Sequence, residues 1–211
     1  ILAYERAGTE LLGKPFDYSH ISVHGRLDCE NFRSGMSLHA PEVSSDLLLN
    51  EFKARYYDHL NSISAERQGF KVLPGVQDLV KHLHHDERVE VGILTGNWLH
   101  TGTLKLKTSG LDMDMFRTSV WAEDGKTRED LVPVAAERFF QSHSTDPSRV
   151  VIIGDTPRDV ECAHAHNAEA IAVATGIHDR ATLLATGAEC VVEELTEFDR
   201  IINFAVSFLN Y

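Results

Sequence analysis

The sequence predicts an α/β protein: a parallel sheet flanked by helices, with a small α-helical module preceding it. Three observations lead there. From Leu73 onward, short apolar runs alternate with amphipathic stretches, which is the pattern of βα units around a parallel sheet. The runs are rich in β-branched residues and lack strict polar alternation, as strands buried on both faces do. The first 70 or so residues hold helical patterns and no strong strand run.

The expected strands are Val89–Leu94, Thr118–Trp121, Val150–Ile153, Ala170–Ala174 and Cys190–Val192. Between them, Gly75–His85 carries Val76, Leu79, Val80 and Leu83 at helical spacing, with Pro74 just before. Trp98–Ser109 stops at Gly110, and Arg128–Ser142 sets Leu131, Val134, Ala135, Arg138 and Phe139 over one face. Pro157–His166 has its proline in the first turn, where no N–H is needed. In the N-terminal third, Tyr4–Leu12 and Ser45–Ile63 read as helices, joined by a stretch containing Gly25, Gly35 and Pro41. A boundary near Gln68–Val72 divides a helical unit, residues 1–70, from a core, residues 71–211.

Composition narrows the function. Lys plus Arg number 20 against 32 Asp plus Glu, a formal charge of −12, which disfavours nucleic acid and anionic membrane surfaces. No run reaches the roughly 18 apolar residues of a membrane span, and the N-terminus has no basic-then-apolar signal. Cys29, Cys162 and Cys190 are odd in number and far apart, as in a reducing cytoplasm.

Three segments carry chemistry, each after an expected strand, where open α/β sheets bind ligands. Val91–Leu94 runs into Thr95-Gly96-Asn97 before a helix. The Thr95 hydroxyl and the N–H groups of Gly96 and Asn97 could hold a phosphoryl oxygen; as a lone signal they more often make a helix cap. Val150–Ile153 ends in Gly154-Asp155, with Asp159 four residues on. Two carboxylates at one strand end suit Mg²⁺, although a loop acid and a helix-start charge would look the same. Gly125-Lys126-Thr127-Arg128-Glu129-Asp130 offers a cation between the two, or a solvated helix start.

Together, in this order, the segments resemble motifs II, III and IV of the haloacid-dehalogenase (HAD) superfamily of phosphohydrolases. The resemblance extends to Leu73-Pro74-Gly75-Val76 and Ala172-Val173-Ala174-Thr175-Gly176. It is nearest to phosphoglycolate-phosphatase-like members with a helical cap, of which Gly25-Arg26-Leu27-Asp28 resembles a segment. It implies a Rossmann-like core and hydrolysis of a small phosphorylated metabolite with Mg²⁺. Thr95 would bind the phosphoryl group with Gly96 and Asn97. Asp155 would ligate Mg²⁺, Asp159 would support the metal or its waters, and Arg128 (or Lys126) would be the motif III cation.

The family's motif I, Asp-x-Asp-x-Thr on the first strand, supplies the nucleophile that becomes an aspartyl-phosphate. It has no counterpart here. Asp112-Met113-Asp114 follows the wrong helix and reads as a loop. Ile1–Thr9 could be a degraded strand with Glu5 and Ala7 in the aspartate positions, but its spacing to Gly25 fits the first cap helix. In this family that strand lies between those leading to Thr95 and Asp155. Without it each neighbour would leave N–H and C=O groups unpaired, at roughly 1–3 kcal/mol apiece if buried. A longer native chain, or another occupant of the slot, is therefore expected. The 211 residues alone should not turn over phosphate esters.

The remaining candidates read as structural. His82, His84, His85 and Asp86 suit a helix C-terminus, and His164 and His166 cannot share a helix face. Phe139-Phe140 and the stripe Ile201, Ile202, Phe204, Ala205, Phe208 read as core. Arg26 and Asp28 either face substrate or pair with each other. A non-catalytic relative that binds phosphorylated ligands or protein is the competing function. A dinucleotide oxidoreductase would need G-x-G-x-x-G, which is absent.

Overall fold

A computed structural model describes residues 1–206. In chain order it has α1 (Leu2–Leu12), α2 (Asp28–His39), α3 (Ser45–Glu66), α4 (Val76–His85), β1 (Gly92–Leu94), α5 (Leu99–Ser109) and β2 (Thr118–Val120). Then follow α6 (Leu131–His143), β3 (Val151–Gly154), α7 (Pro157–His164), β4 (Glu169–Val173), α8 (Arg180–Ala185), β5 (Cys190–Val192) and α9 (Phe198–Val206). The α/β class is as expected. Ile1–Thr9 belongs to a helix, not a strand, and Phe208 lies outside the described residues.

One reading is corrected. The stretch taken as a connection contains helix α2, and Gly35, which argued against it, sits in its middle. Glycine there costs about 1 kcal/mol relative to alanine. The position has no room for a side chain, because a Cβ would come within 2.5 Å of Phe16 Cζ and 2.7 Å of the Tyr18 hydroxyl. Close packing decides the residue, and full burial of Phe32 and near-complete burial of Phe16 offset its cost at roughly 1.5–3 kcal/mol each. The short helix α8 was also unforeseen; Asp179 caps it by accepting from Thr182 N at 2.8 Å.

Helices α1 and α3 pack together, with α2 beside them, around an aromatic cluster. Tyr4 lies 4.4 Å from Tyr56 and 5.0 Å from Phe52, centroid to centroid. Phe32 and Phe52 are 4.2 Å apart. Trp98, at the start of α5, enters the same cluster and stacks on Tyr4 at 6.0 Å. The helical layer is thereby keyed to the segment that follows β1.

All strand pairs are parallel, but they form two sheets. β1 pairs with β2, Gly92 opposite Thr118 and Leu94 opposite Val120. β3, β4 and β5 form the other, with Val151 opposite Glu169 and Ile171 opposite Cys190. Among the described residues, β1 and β3 each have one strand neighbour. Leu94 packs on the cluster around Ile152 and Ala170, while Val91 and Val151 share the cluster around Ile171. Ile153, an apolar residue on β3, is 37% exposed, as an unpaired central strand would leave it.

Candidate phosphoryl site at the strand ends

The Thr95-Gly96-Asn97 turn follows β1 directly. Thr95 N donates to Val120 O at 3.0 Å, continuing the β1–β2 pairing by one residue. Its hydroxyl oxygen accepts from Asn97 N at 3.2 Å and Asn97 Nδ2 at 2.7 Å. This closes a turn ahead of α5 and is not a helix cap, since α5 starts at Leu99 with Trp98 as its N-cap and no side-chain cap; the hydroxyl proton stays available to donate to a ligand. Asn97 Oδ1 in turn accepts from the Lys105 ammonium on α5. Lys105 was not foreseen, since nothing in its spacing marks it.

At the end of β3 the two aspartates have different surroundings. Asp155 is exposed and hydrogen-bonds to no described residue. Asp159 is 4% exposed and fully engaged. Its Oδ2 accepts from Thr156 N at 3.0 Å and Thr156 Oγ1 at 2.8 Å, and its Oδ1 accepts from Arg128 Nη2 at 2.5 Å. Thr156 and Asp159 form a capping box that starts α7. Gly154 is required by this arrangement, because a Cβ there would overlap the Asp159 carboxyl carbon. The glycine-aspartate strand end is therefore a seat for the cap as well as a way to present Asp155.

Arg128 lies in the loop before α6, its side chain 15% exposed. Its Nε is buried without a partner, and its carbonyl accepts from Cys162 Sγ at 3.2 Å. Lys126 is exposed, and its backbone N donates to Asp130 Oδ2 at 2.8 Å in the turn. Of the two candidate cations, Arg128 reaches the β3 turn.

The loop before α2 touches both turns. Gly25, with φ +70°, is so close to the β3 turn that a Cβ would sit 2.7 Å from Thr156 Oγ1. Its neighbour Arg26 places its carbonyl where a Gly96 side chain would be, and Asp28 N donates to Gly96 O at 2.6 Å. Thr95-Gly96-Asn97 and Asp155-Thr156 therefore lie under one short strap. Arg26 and Asp28 do not pair with each other. Arg26 Nη2 donates to Ser34 Oγ at 2.8 Å, while Asp28 Oδ2 accepts from Trp98 N at 2.9 Å at the start of α5.

Burial raises the Asp28 carboxyl above the ordinary aspartate range, with Lys105 and the Trp98 N–H pulling it back. Burial likewise lowers the Lys105 ammonium, and Asp28 opposes that. Among the described residues no three His, Cys, Asp or Glu side chains cluster as a metal site. His82 meets Phe198 edge-on at 4.9 Å, His84 contacts Met115 O, and His164 contacts Glu189.

Comparison with known proteins follows this geometry. Residues 124–198, spanning Arg128, Asp155 and Asp159, match a family described as HAD-hydrolase-like. The fold is that of the HAD superfamily. A hydrolase from Pseudomonas syringae aligns with 98% of this chain and 90% of its own, with TM-score 0.72 and 20% identity. A predicted phosphoglycolate phosphatase from Haemophilus somnus covers 95% and 89%, with TM-score 0.69 and 11% identity. A haloacid-dehalogenase-like family protein from Streptococcus pneumoniae covers 93% and 86%, with TM-score 0.63 and 16% identity. No curated protein sequence matches the chain. Among the described residues, no helix is long and apolar enough to cross a membrane.

Proposed function

We propose that this HAD-like chain carries the phosphoryl-binding and metal-binding parts of an Mg²⁺-dependent phosphatase. It would act on a small phosphorylated metabolite through an aspartyl-phosphate, with residues 1–70 as cap and 71–211 as core. The observation that carries the reading is the loop at Gly25 and Arg26, which touches both the Thr95-Gly96-Asn97 turn after β1 and the Asp155-Thr156 turn after β3. The sequence holds no Asp-x-Asp-x-Thr. One further strand bearing that motif would pair with the edges that β1 and β3 leave open.

The donor set fits Mg²⁺, which takes one or two protein carboxylates and keeps several waters. Asp155 is free to be that ligand. Asp159 is committed to Thr156 and Arg128 and would act by fixing the turn that presents Asp155. Mg²⁺ bound there would supply positive charge against phosphoryl oxygens. Thr95 would donate its hydroxyl to one oxygen, with Gly96 and Asn97 N–H beside it, and Arg128 would neutralise the remainder. The charge of −12 favours a small-molecule partner over nucleic acid, and three buried free thiols favour a reducing, cytoplasmic setting.

The absence of Asp-x-Asp-x-Thr from the sequence favours a second reading, a non-catalytic relative that binds phosphate esters. A screen of small esters with Mg²⁺ and with chelator separates the two, run on the 211-residue chain and on a version extended by an Asp-x-Asp-x-Thr strand. The short chain should be inactive. The extended one should hydrolyse esters and lose most activity in Asp155→Asn. Chelator-sensitive turnover by the short chain, abolished by Asp155→Asn, would overturn the account of the nucleophile. Inactivity of both, with ester binding retained, would establish the second reading.

A further inference from the structure

A cavity of about 220 Å³ lies between the helical layer and α5, lined by Ile1, His24, Asp28, Asn31, Tyr56 and Lys105 among others. Side chains on a helix lean toward its N-terminus, and Lys105, two turns into α5, reaches back along it to the turn after β1. There its ammonium donates to Asn97 Oδ1. An ammonium has three protons and no acceptor, so the end of the Asn97 amide that meets it must be the oxygen. The nitrogen end is thereby turned to Thr95, and Asn97 Nδ2 donates to Thr95 Oγ1 at 2.7 Å. The backbone N–H of Asn97 donates to the same oxygen at 3.2 Å. A hydroxyl oxygen has two lone pairs, and both are taken. What the Thr95 hydroxyl still has to offer is its proton.

Resting on the phosphoryl-site reading above, we infer that Lys105 is a positioning residue, which locks the Asn97 amide so that the Thr95 hydroxyl donates to a phosphoryl oxygen. Without Lys105 nothing holds the amide this way round. An amide has nearly the same shape after a half-turn, so reversing it needs little room. Reversed, it would present Oδ1 to Thr95 Oγ1. The hydroxyl proton would then be drawn into that bond and away from the ligand. The relay is also tied to the helical layer. Asp28, at the start of α2, lines the same cavity and accepts from Trp98 N at 2.9 Å, which fixes the start of α5 just after the Thr95 turn. Burial disfavours the Lys105 ammonium, and the negative charge of Asp28 favours it. Lys105 acts on the phosphoryl group only through Asn97 and Thr95.

The test is calorimetric titration of the 211-residue chain with inorganic phosphate in the presence of Mg²⁺. Thr95→Ala should weaken binding about ten- to hundredfold, as loss of a hydrogen bond to an anion does, and Lys105→Met about tenfold. Combined, the two should cost no more than Thr95→Ala alone, because the hydroxyl through which Lys105 works is gone. Lys105→Arg keeps a cation that only donates and should stay within about threefold of the unaltered chain. Amide NMR gives a reading that needs no ligand. The Asn97 Nδ2 protons should exchange faster in Lys105→Met than in the unaltered chain, while the Gly96 and Asn97 backbone signals stay in place. Lys105→Ala adds no bulk and suits a helix, so it serves where Lys105→Met disturbs folding. Losses that multiply in the double variant would mean that Lys105 attracts phosphate by charge alone, and would overturn the inference while the phosphoryl site stands. So would unchanged binding in Lys105→Met, unchanged Asn97 exchange, or a loss in Lys105→Arg as large as in Lys105→Met. If the unaltered chain binds no phosphate, the phosphoryl-site reading falls and the inference with it.

Discussion

Replacing Asp159 by alanine removes two distinct supports from the β3 turn. The first is the cap: Thr156 N and Oγ1 lose their acceptor, at about 1 kcal/mol for a helix N-terminus. The second is the ion pair with Arg128, a side chain 15% exposed facing one 5% exposed. Breaking a buried pair by deleting one partner costs roughly 3–5 kcal/mol, because the other charge stays behind. Arg128 retains some solvent, so about 2–4 kcal/mol is the working figure. The sum is roughly 3–5 kcal/mol, a large share of the ~5–15 kcal/mol total of a typical domain. For a chain of 211 residues this lowers the melting temperature by about 6–20 °C. Asp155→Ala, four residues away, should change stability by less than about 0.5 kcal/mol, since Asp155 is exposed and holds nothing. Urea unfolding followed by circular dichroism measures both. Equal effects, or a larger loss at Asp155, would refute the division of labour between the two carboxylates.

Three further outcomes follow from the same structure. Gly96→Ala drives a Cβ into the Arg26 carbonyl, with backbone on both sides, and should cost about 1–3 kcal/mol in urea unfolding while weakening phosphate binding. Asp28→Asn keeps an acceptor for Trp98 N but removes a carboxyl whose folded pKa is raised by burial. The wild type gains stability from that group as pH falls through the raised value toward the usual ~3.9, so its advantage over Asp28→Asn should grow from pH 7 to pH 4; a pH-independent difference would count against it. Burial pushes the Cys162 thiol up to about 11, so at pH 8 roughly one part in a thousand is thiolate. Ellman titration of the folded protein should leave Cys162 unreacted until denaturant is added, and rapid native modification of it would contradict its placement.

What the sequence revealed and what it hid divide along physical lines. The strands were legible because β-branched runs such as Val150-Val151-Ile152-Ile153 have few other uses, and Cys190–Val192 coincides with β5. Val89–Leu94 was drawn too long, because pairing extends only as far as the three residues of β2 allow. Helix α2 was hidden by Gly35, whose reason lies in Phe16 and Tyr18, far from it in sequence. Arg128 donates to Asp159 at the β3 turn; its charge and its position before a helix are local facts a sequence carries, but its partner is not. Whether Asp159 faces a metal or its own helix cap is a matter of rotamer and burial, which spacing does not encode. The cavity was illegible for a similar reason: Asn31, Tyr56 and Lys105 come from three helices, and only folding brings them together.

The strand edges that β1 and β3 leave unpaired also bear on the behaviour of the chain in solution. An open strand edge presents a row of amide and carbonyl groups that pairs with any extended segment offered to it, including one from another copy. Among the described residues β1 and β3 each keep one such edge, and Ile153 on β3 is exposed. Copies of the chain are held apart by a charge of −12, which acts across a Debye length of about 10 Å at 0.1 M salt and about 3 Å at 1 M. Solubility of the 211-residue chain is therefore tied to ionic strength: raising salt screens the repulsion while leaving the strand edges as adhesive as before. A segment that pairs with these edges would act as a stopper against aggregation as well as a scaffold for chemistry.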